Sequence, residues 1–167
     1  TRWVQGEPFN RFLPELDGQK VVAGCSNIAL AQVMKYHGHP SSGQGVSSYT
    51  WNGQGLEAVF YRPYHWENMP DTVGLAEDEY KVDEVASLIR DLAIMNRTSF
   101  GLYGSSAIIN FQPLAEHFGY SRNVLSMDNA DAEPRGAVDV LRFPEIVLSR
   151  REHRIGIIDF LKWANHL

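Results

Sequence analysis

The run Ser26 to His37 (SNIALAQVMKYH) constrains this chain most: twelve residues without Gly or Pro, directly behind the only cysteine, Cys25. Ala, Leu, Met and Gln favour helix, and the apolar residues fall on most sides rather than on one stripe. The helix is therefore expected to be central and buried. Gly38 and Pro40 stop it. Cys25 then stands at the helix N-terminus, where partial positive charge and free N–H groups favour a thiolate and can hold an oxyanion. A structural cysteine lies more naturally inside a helix, as a small buried hydrophobe. Gly24, just before it, lets a substrate backbone approach closely.

Other segments are less constrained. Residues up to about Gly24 read as loop. Residues 41 to 55 (SSGQGVSSYTWNGQG) read as a long exposed loop or a short hairpin. A second helix is expected from about Lys81 to Ile94, with Val82, Val85, Ile89 and Leu92 on one face. A Gly-rich turn follows at Gly101 to Ser106. A third helix is expected from about Asn110 to His117, closed by Gly119. Ser126 to Gly136 reads as a polar surface loop. Pro144 to Leu148 and Ile155 to Phe160 read as strands, with charged Ser149 to Arg154 as a hairpin loop between them. Helices first and strands last make an α+β pattern. A length of 167 residues suits one domain or two small lobes.

Composition excludes several classes of function. A net charge of −5 and the lack of a basic stripe argue against nucleic acid. No apolar run approaches the roughly 18 residues that span a bilayer. Thr1-Arg2-Trp3-Val4 is not a signal start, and the absent initiator Met points to a mature or trimmed product. One cysteine allows no internal disulfide. No HExxH, CxxC or phosphate-binding glycine motif occurs, and His37 and His39, at i and i+2, do not share a helix face. Neither a metal nor a cofactor is expected.

A cysteine nucleophile needs a base, and six histidines are available. His37 ends the Cys25 helix, roughly 18 Å from its start by helix rise, and His39 lies beyond it. His117 reads as a helix-end cap, His65 as aromatic packing between Tyr64 and Trp66, and His166 as a terminal residue. His153, at the start of an apolar strand, has the setting of a catalytic histidine on a second lobe, but by itself reads more readily as a surface residue in a hairpin turn. The Gln5 amide is a neutral donor that could complete an oxyanion hole, or simply a solvated side chain.

Four blocks resemble the streptopain family of papain-like bacterial cysteine peptidases. They are Trp3-Val-Gln5-Gly-Glu-Pro-Phe-Asn10, Gly24-Cys25 through Ala31-Gln-Val-Met-Lys-Tyr-His37 and Pro40, Val85 to Leu92 followed by Tyr103-Gly104-Ser-Ser, and Phe118-Gly-Tyr-Ser121. Their order and spacing also fit. The resemblance implies a two-lobe papain-like fold in a single catalytic domain. Its helical lobe would span about 1–121 and its β-lobe about 122–167. Cys25 becomes the nucleophile and Gln5, twenty residues before it, the oxyanion donor. His153 is the implied base, with Pro144 to Ser149 as the strand before it. The family has Gly-Gly before this histidine, where this chain has Arg151-Glu152. The family's later strands, Trp-Gly-Trp-Gly motif and glycine-rich substrate loop have no match, so the β-lobe is expected to be abbreviated.

The resemblance implies a secreted bacterial endopeptidase acting on extended polypeptide, with a propeptide or protein inhibitor as a further partner. Two alternatives stand beside it. The first is an inactive or fragmentary homologue that binds peptides or proteins, and oligomerises if apolar surface is left exposed. The second is a chain in which Cys25 is only a core residue.

Overall fold

The computed structural model describes residues 1–73 and 79–120, with the strand pairs at 126–127, 145–146, 149–150 and 153–154. The chain forms two compact units, Thr1–Phe118 and Gly119–Leu167.

The first unit opens with a small hairpin, β1 (Glu15–Leu16) and β2 (Gln19–Lys20). Asp17 and Gly18 both take positive φ, the geometry an Asp-Gly hairpin turn requires. The sequence reads this stretch as loop with little regular structure, and the two-residue strands are all the ladder it has. Helix α1 (Cys25–His37) follows, one residue longer than expected, and its residues from Asn27 to Gln32 are all buried. It ends as the sequence indicates. Gly38 is left-handed (φ 54°), its N–H bonds to the Lys35 carbonyl, and the His39 N–H reaches back to Met34.

The Ser/Gly-rich stretch leads into a hairpin, β3 (Val46–Trp51) and β4 (Gln54–Val59), paired from Val46↔Val59 to Trp51↔Gln54. Asn52 and Gly53 form its tight turn, both at positive φ. After a 3-10 turn at Trp66–Asn68 comes α2 (Glu79–Met95), which packs on α1 and on the β3–β4 hairpin. Val85, Leu88, Ile89 and Leu92 of α2 and Leu30 and Met34 of α1 are essentially inaccessible to solvent. Helix α3 (Phe111–Phe118) starts one residue later than expected. Pro113 sits in its first turn, where a missing N–H costs nothing. Gly119 follows at positive φ.

In the second unit, β5 (Ser126–Met127) pairs antiparallel with β6 (Glu145–Ile146), and β7 (Ser149–Arg150) with β8 (His153–Arg154). The expected strand at Pro144 to Leu148 thus contains β6. The segment expected to be a connecting loop, Ser149 to Arg154, itself carries a ladder, with Arg150 opposite His153. Ile155 to Phe160, and Ser126 to Gly136 apart from β5, lie outside the described residues.

Candidate active site

Cys25 is the first residue of α1 and is exposed. The N–H groups of Asn27 and Ile28 turn back to the Gly24 carbonyl, at 3.2 and 3.3 Å. The Cys25 and Ser26 N–H groups have no acceptor within the helix, as at any helix start. Gly24 holds φ 88° and ψ 132°, a conformation that glycine alone enters at low cost. A Cβ on Gly24 would lie 3.4 Å from the Ser105 carbonyl oxygen and 3.5 Å from Asn27 Nδ2, ordinary contact distances. The backbone, rather than space, therefore requires glycine here.

The segment Val21–Gly24 is clamped from both sides. On one side Ala23 N–H donates to the Gln5 carbonyl at 2.9 Å, and Asn10 Nδ2 donates to the Val21 carbonyl at 3.0 Å. On the other, Val22 N–H donates to the Gly101 carbonyl at 3.0 Å. Ser105 Oγ donates to the Val22 carbonyl at 2.6 Å and accepts from Gly101 N–H at 3.0 Å. Trp3 anchors the N-terminal stretch. Its ring is buried and tilted against Phe9, and its Nε1 donates to the Pro70 carbonyl at 2.7 Å. Gln5 is half-buried, and its backbone is tied to a residue two positions before Cys25.

Beneath the turn is a buried polar chain. Asn27 Nδ2 donates to the Ala23 carbonyl (2.7 Å) and to Thr98 Oγ1 (2.9 Å). Thr98 Oγ1 in turn donates to the Ala93 carbonyl (2.8 Å). Asn96 Nδ2 donates to Asn27 Oδ1 (2.9 Å), and Asn96 Oδ1 accepts from Asn110 N–H (2.9 Å). Tyr49 Oη donates to the Thr98 carbonyl (2.7 Å), and burial pushes the Tyr49 phenol up to about 12. Asn27, Asn96 and Thr98 carry no sequence-level role, and Ser105 enters the sequence reading only within the Tyr103-Gly104-Ser-Ser block. The available signal was a polar Asn on the helix side otherwise filled by Ile, Ala and Leu.

The histidines separate by environment. His37 closes α1, at the end opposite Cys25. His65 Nδ1 lies 3.6 Å from Glu67 Oε1, while Tyr64 and Trp66 on either side stack on each other. His117 was expected to cap its own helix. Instead its Nδ1 is 2.9 Å from the Gln44 carbonyl oxygen and its ring packs on Phe60. His153 opens β8, in the second unit. His166 lies outside the described residues. Among the described residues, no cluster of His, Cys, Asp or Glu could hold a metal ion, and no helix is long and apolar enough to cross a membrane.

A second polar cluster lies on α2. Buried Asp91 accepts from Arg62 (Nη2 2.9 Å, Nε 3.1 Å) and from Tyr64 Oη (3.0 Å), and Arg62 also covers the Tyr64 ring. Burial raises the Asp91 carboxyl above the usual range, against the opposing pull of Arg62. Burial, and then the Asp91 charge, raise the Tyr64 phenol.

The fold of this chain is similar to that of known cysteine proteases. The structure matches active wild-type interpain A cysteine protease of Prevotella intermedia with a TM-score of 0.71 and 26% identity, over 78% of this chain and 57% of that one. It matches a prointerpain A fragment with a cysteine-to-alanine mutation equally well, at TM-score 0.71 and 25% identity, over 79% of this chain and 45% of that one. In sequence the chain is 28% identical over 148 residues to streptopain of Streptococcus pyogenes. With its helices and small sheets, it has the α+β character of these papain-like relatives. The Peptidase C10 pattern matches residues 3–147, and the chain belongs to the Peptidase C10 family. It spans 37% of the length of the streptopain it matches.

Proposed function

We propose that this chain carries out cysteine endopeptidase chemistry on extended polypeptides, in a papain-like catalytic domain with a helical lobe over about 1–121 and a shorter β-lobe over about 122–167. Cys25 Sγ, as thiolate, attacks the peptide carbonyl carbon. The oxyanion that forms is held by the Cys25 N–H and the Gln5 side-chain amide. Protonated His153 gives its proton to the leaving amine, and the C–N bond breaks to leave a thioester. His153 then takes a proton from water as that water attacks, and the acid product leaves with the thiolate restored. Gly24 gives the substrate backbone room to approach.

One observation carries this reading. Within a Peptidase C10 chain, an exposed Cys25 starts a buried helix and Gln5 is tied by its backbone to Ala23. A helix start supplies free N–H donors for an oxyanion. The prointerpain relative supports a propeptide as a partner, and the streptococcal and Prevotella relatives support a bacterial enzyme acting outside the cell. Hydrolysis of a denatured polypeptide by wild type and by Cys25→Ala tests the reading. The expected result is loss of cleavage in the variant with its circular dichroism unchanged. Cleavage retained by Cys25→Ala contradicts it, and a folded wild type that cleaves nothing points to a peptide-binding module.

A further inference from the structure

Asn27 and Thr98 are fully buried polar side chains that the proposed peptidase mechanism does not use. Burying an amide and a hydroxyl is costly unless they are bonded. Here both are bonded, and both are spent on the turn that delivers Cys25. The Asn27 amide nitrogen reaches back to the Ala23 carbonyl and sits under Gly24, while its backbone N–H bonds the Gly24 carbonyl. The same side chain is gripped by Thr98 and Asn96, which leave the end of α2. Thr98 is fixed in turn through its own N–H (3.1 Å) and hydroxyl to Ala93 and through its carbonyl to Tyr49. The other hydrogen bonds made by Ala23 and Gly24 themselves are the Gln5 bond and those of the first helical turn, and helix ends fray. An unusual backbone conformation such as that of Gly24 persists only where its surroundings over-determine it.

We propose that Asn27 and Thr98 are positioning residues: their buried hydrogen-bonded chain, anchored on the end of α2, locks the Ala23–Gly24 turn and so sets where Cys25 and its N–H group stand. The proposal rests on the peptidase reading for its effect on turnover, but its effect on the thiol can be measured without turnover. Loss of the lock lets the turn relax. Misplacing a reacting group by a fraction of an ångström to an ångström lowers rate without weakening substrate binding.

The test compares Thr98→Val, which keeps the shape and removes the hydroxyl, with Thr98→Ser, which keeps the hydroxyl. Leu92→Ala on α2 serves as a control for lost stability. In Thr98→Val, kcat on a peptide substrate and the alkylation rate of Cys25 by iodoacetamide should both fall about tenfold, with KM within about twofold. Thr98→Ser should keep both rates, and Leu92→Ala should lower Tm without a matching fall in kcat. A folded Thr98→Val with wild-type rates, or a Leu92→Ala with the same loss of kcat, overturns the proposal. If wild type cleaves nothing, the peptidase reading fails, and the alkylation rates alone decide the positioning role. Amide hydrogen exchange on wild type is an independent check that needs no variant. The Asn27 and Ile28 N–H groups should exchange as slowly as the middle of α1. Exchange at the rate of a frayed helix end overturns the proposal.

Discussion

Gly24→Ala isolates the conformation on which the candidate site depends. At φ 88° and ψ 132°, a residue with a Cβ carries strain of about 1–3 kcal/mol. The new methyl meets nothing closer than 3.4 Å, so a steric clash adds little. Alanine also restricts the unfolded chain, which returns about 0.4–1 kcal/mol. The net cost is then about 1–2 kcal/mol, or a fall in Tm of about 3–6 °C for a chain of this size. Urea denaturation and thermal melting measure it directly. Gly6→Ala is the control, since that position lacks a positive φ and has no atom within 4 Å of the added methyl; its stability should stay within about 0.5 kcal/mol. The strained turn lies immediately before Cys25, so Gly24→Ala should also slow Cys25 alkylation, while Gly6→Ala should not. If Gly24→Ala is as stable as Gly6→Ala, the turn is not held in the strained conformation described.

Two further outcomes follow from the ends and charges of α2. Removing Arg62 takes away the main influence opposing the rise of the Asp91 carboxyl, so that carboxyl rises further. A raised carboxyl contributes most below the unfolded value of about 3.9, and the contribution is lost as pH climbs through the folded value. Arg62→Gln should therefore cost about 3 kcal/mol at pH 7 and clearly less at pH 4 by urea denaturation; equal costs at both pH values contradict this. Arg97 holds a left-handed φ of 51° where α2 ends, with its N–H on Ile94 and the Thr98 N–H on Ala93. Glycine suits that position, so Arg97→Gly should gain about 0.5–1 kcal/mol in the same assay, and a loss of stability contradicts the assignment.

What the sequence disclosed depended on how local the cause was. Helix α1 and its stop were legible because helix-forming residues, Gly38 and Pro40 act within a few positions of one another. The period of Val82, Val85, Ile89 and Leu92 located α2 for the same reason. The tight turns at Asp17-Gly18 and Asn52-Gly53 carry the strongest short hairpin signal, but each sits in a stretch whose turn-rich composition reads as loop as readily as hairpin. His117 lies in the last turn of α3 as the sequence indicates, but its Gln44 partner is 73 positions away and beyond any local pattern. The chain under Cys25 was hidden by the same kind of separation. Asn27 meets Thr98 across 71 positions and Asn96 across 69, distances over which composition and periodicity carry no information. Gly24 was legible as a special position, but for substrate access; the structure adds a backbone requirement. Cys25 at a helix start was legible locally; its pairing with Gln5 is implied only by the motifs shared with the streptopain family, and the structure adds a backbone bond between Ala23 and Gln5.

In the proposed mechanism Cys25 is a nucleophile served by His153. The pH dependence of Cys25 alkylation by iodoacetamide, in wild type and in His153→Ala, tests it most directly. The expected result is fast alkylation near pH 5 in wild type that is lost in the variant. Slow alkylation that rises only near the ordinary thiol pKa of about 8.5, and is the same in both proteins, contradicts it.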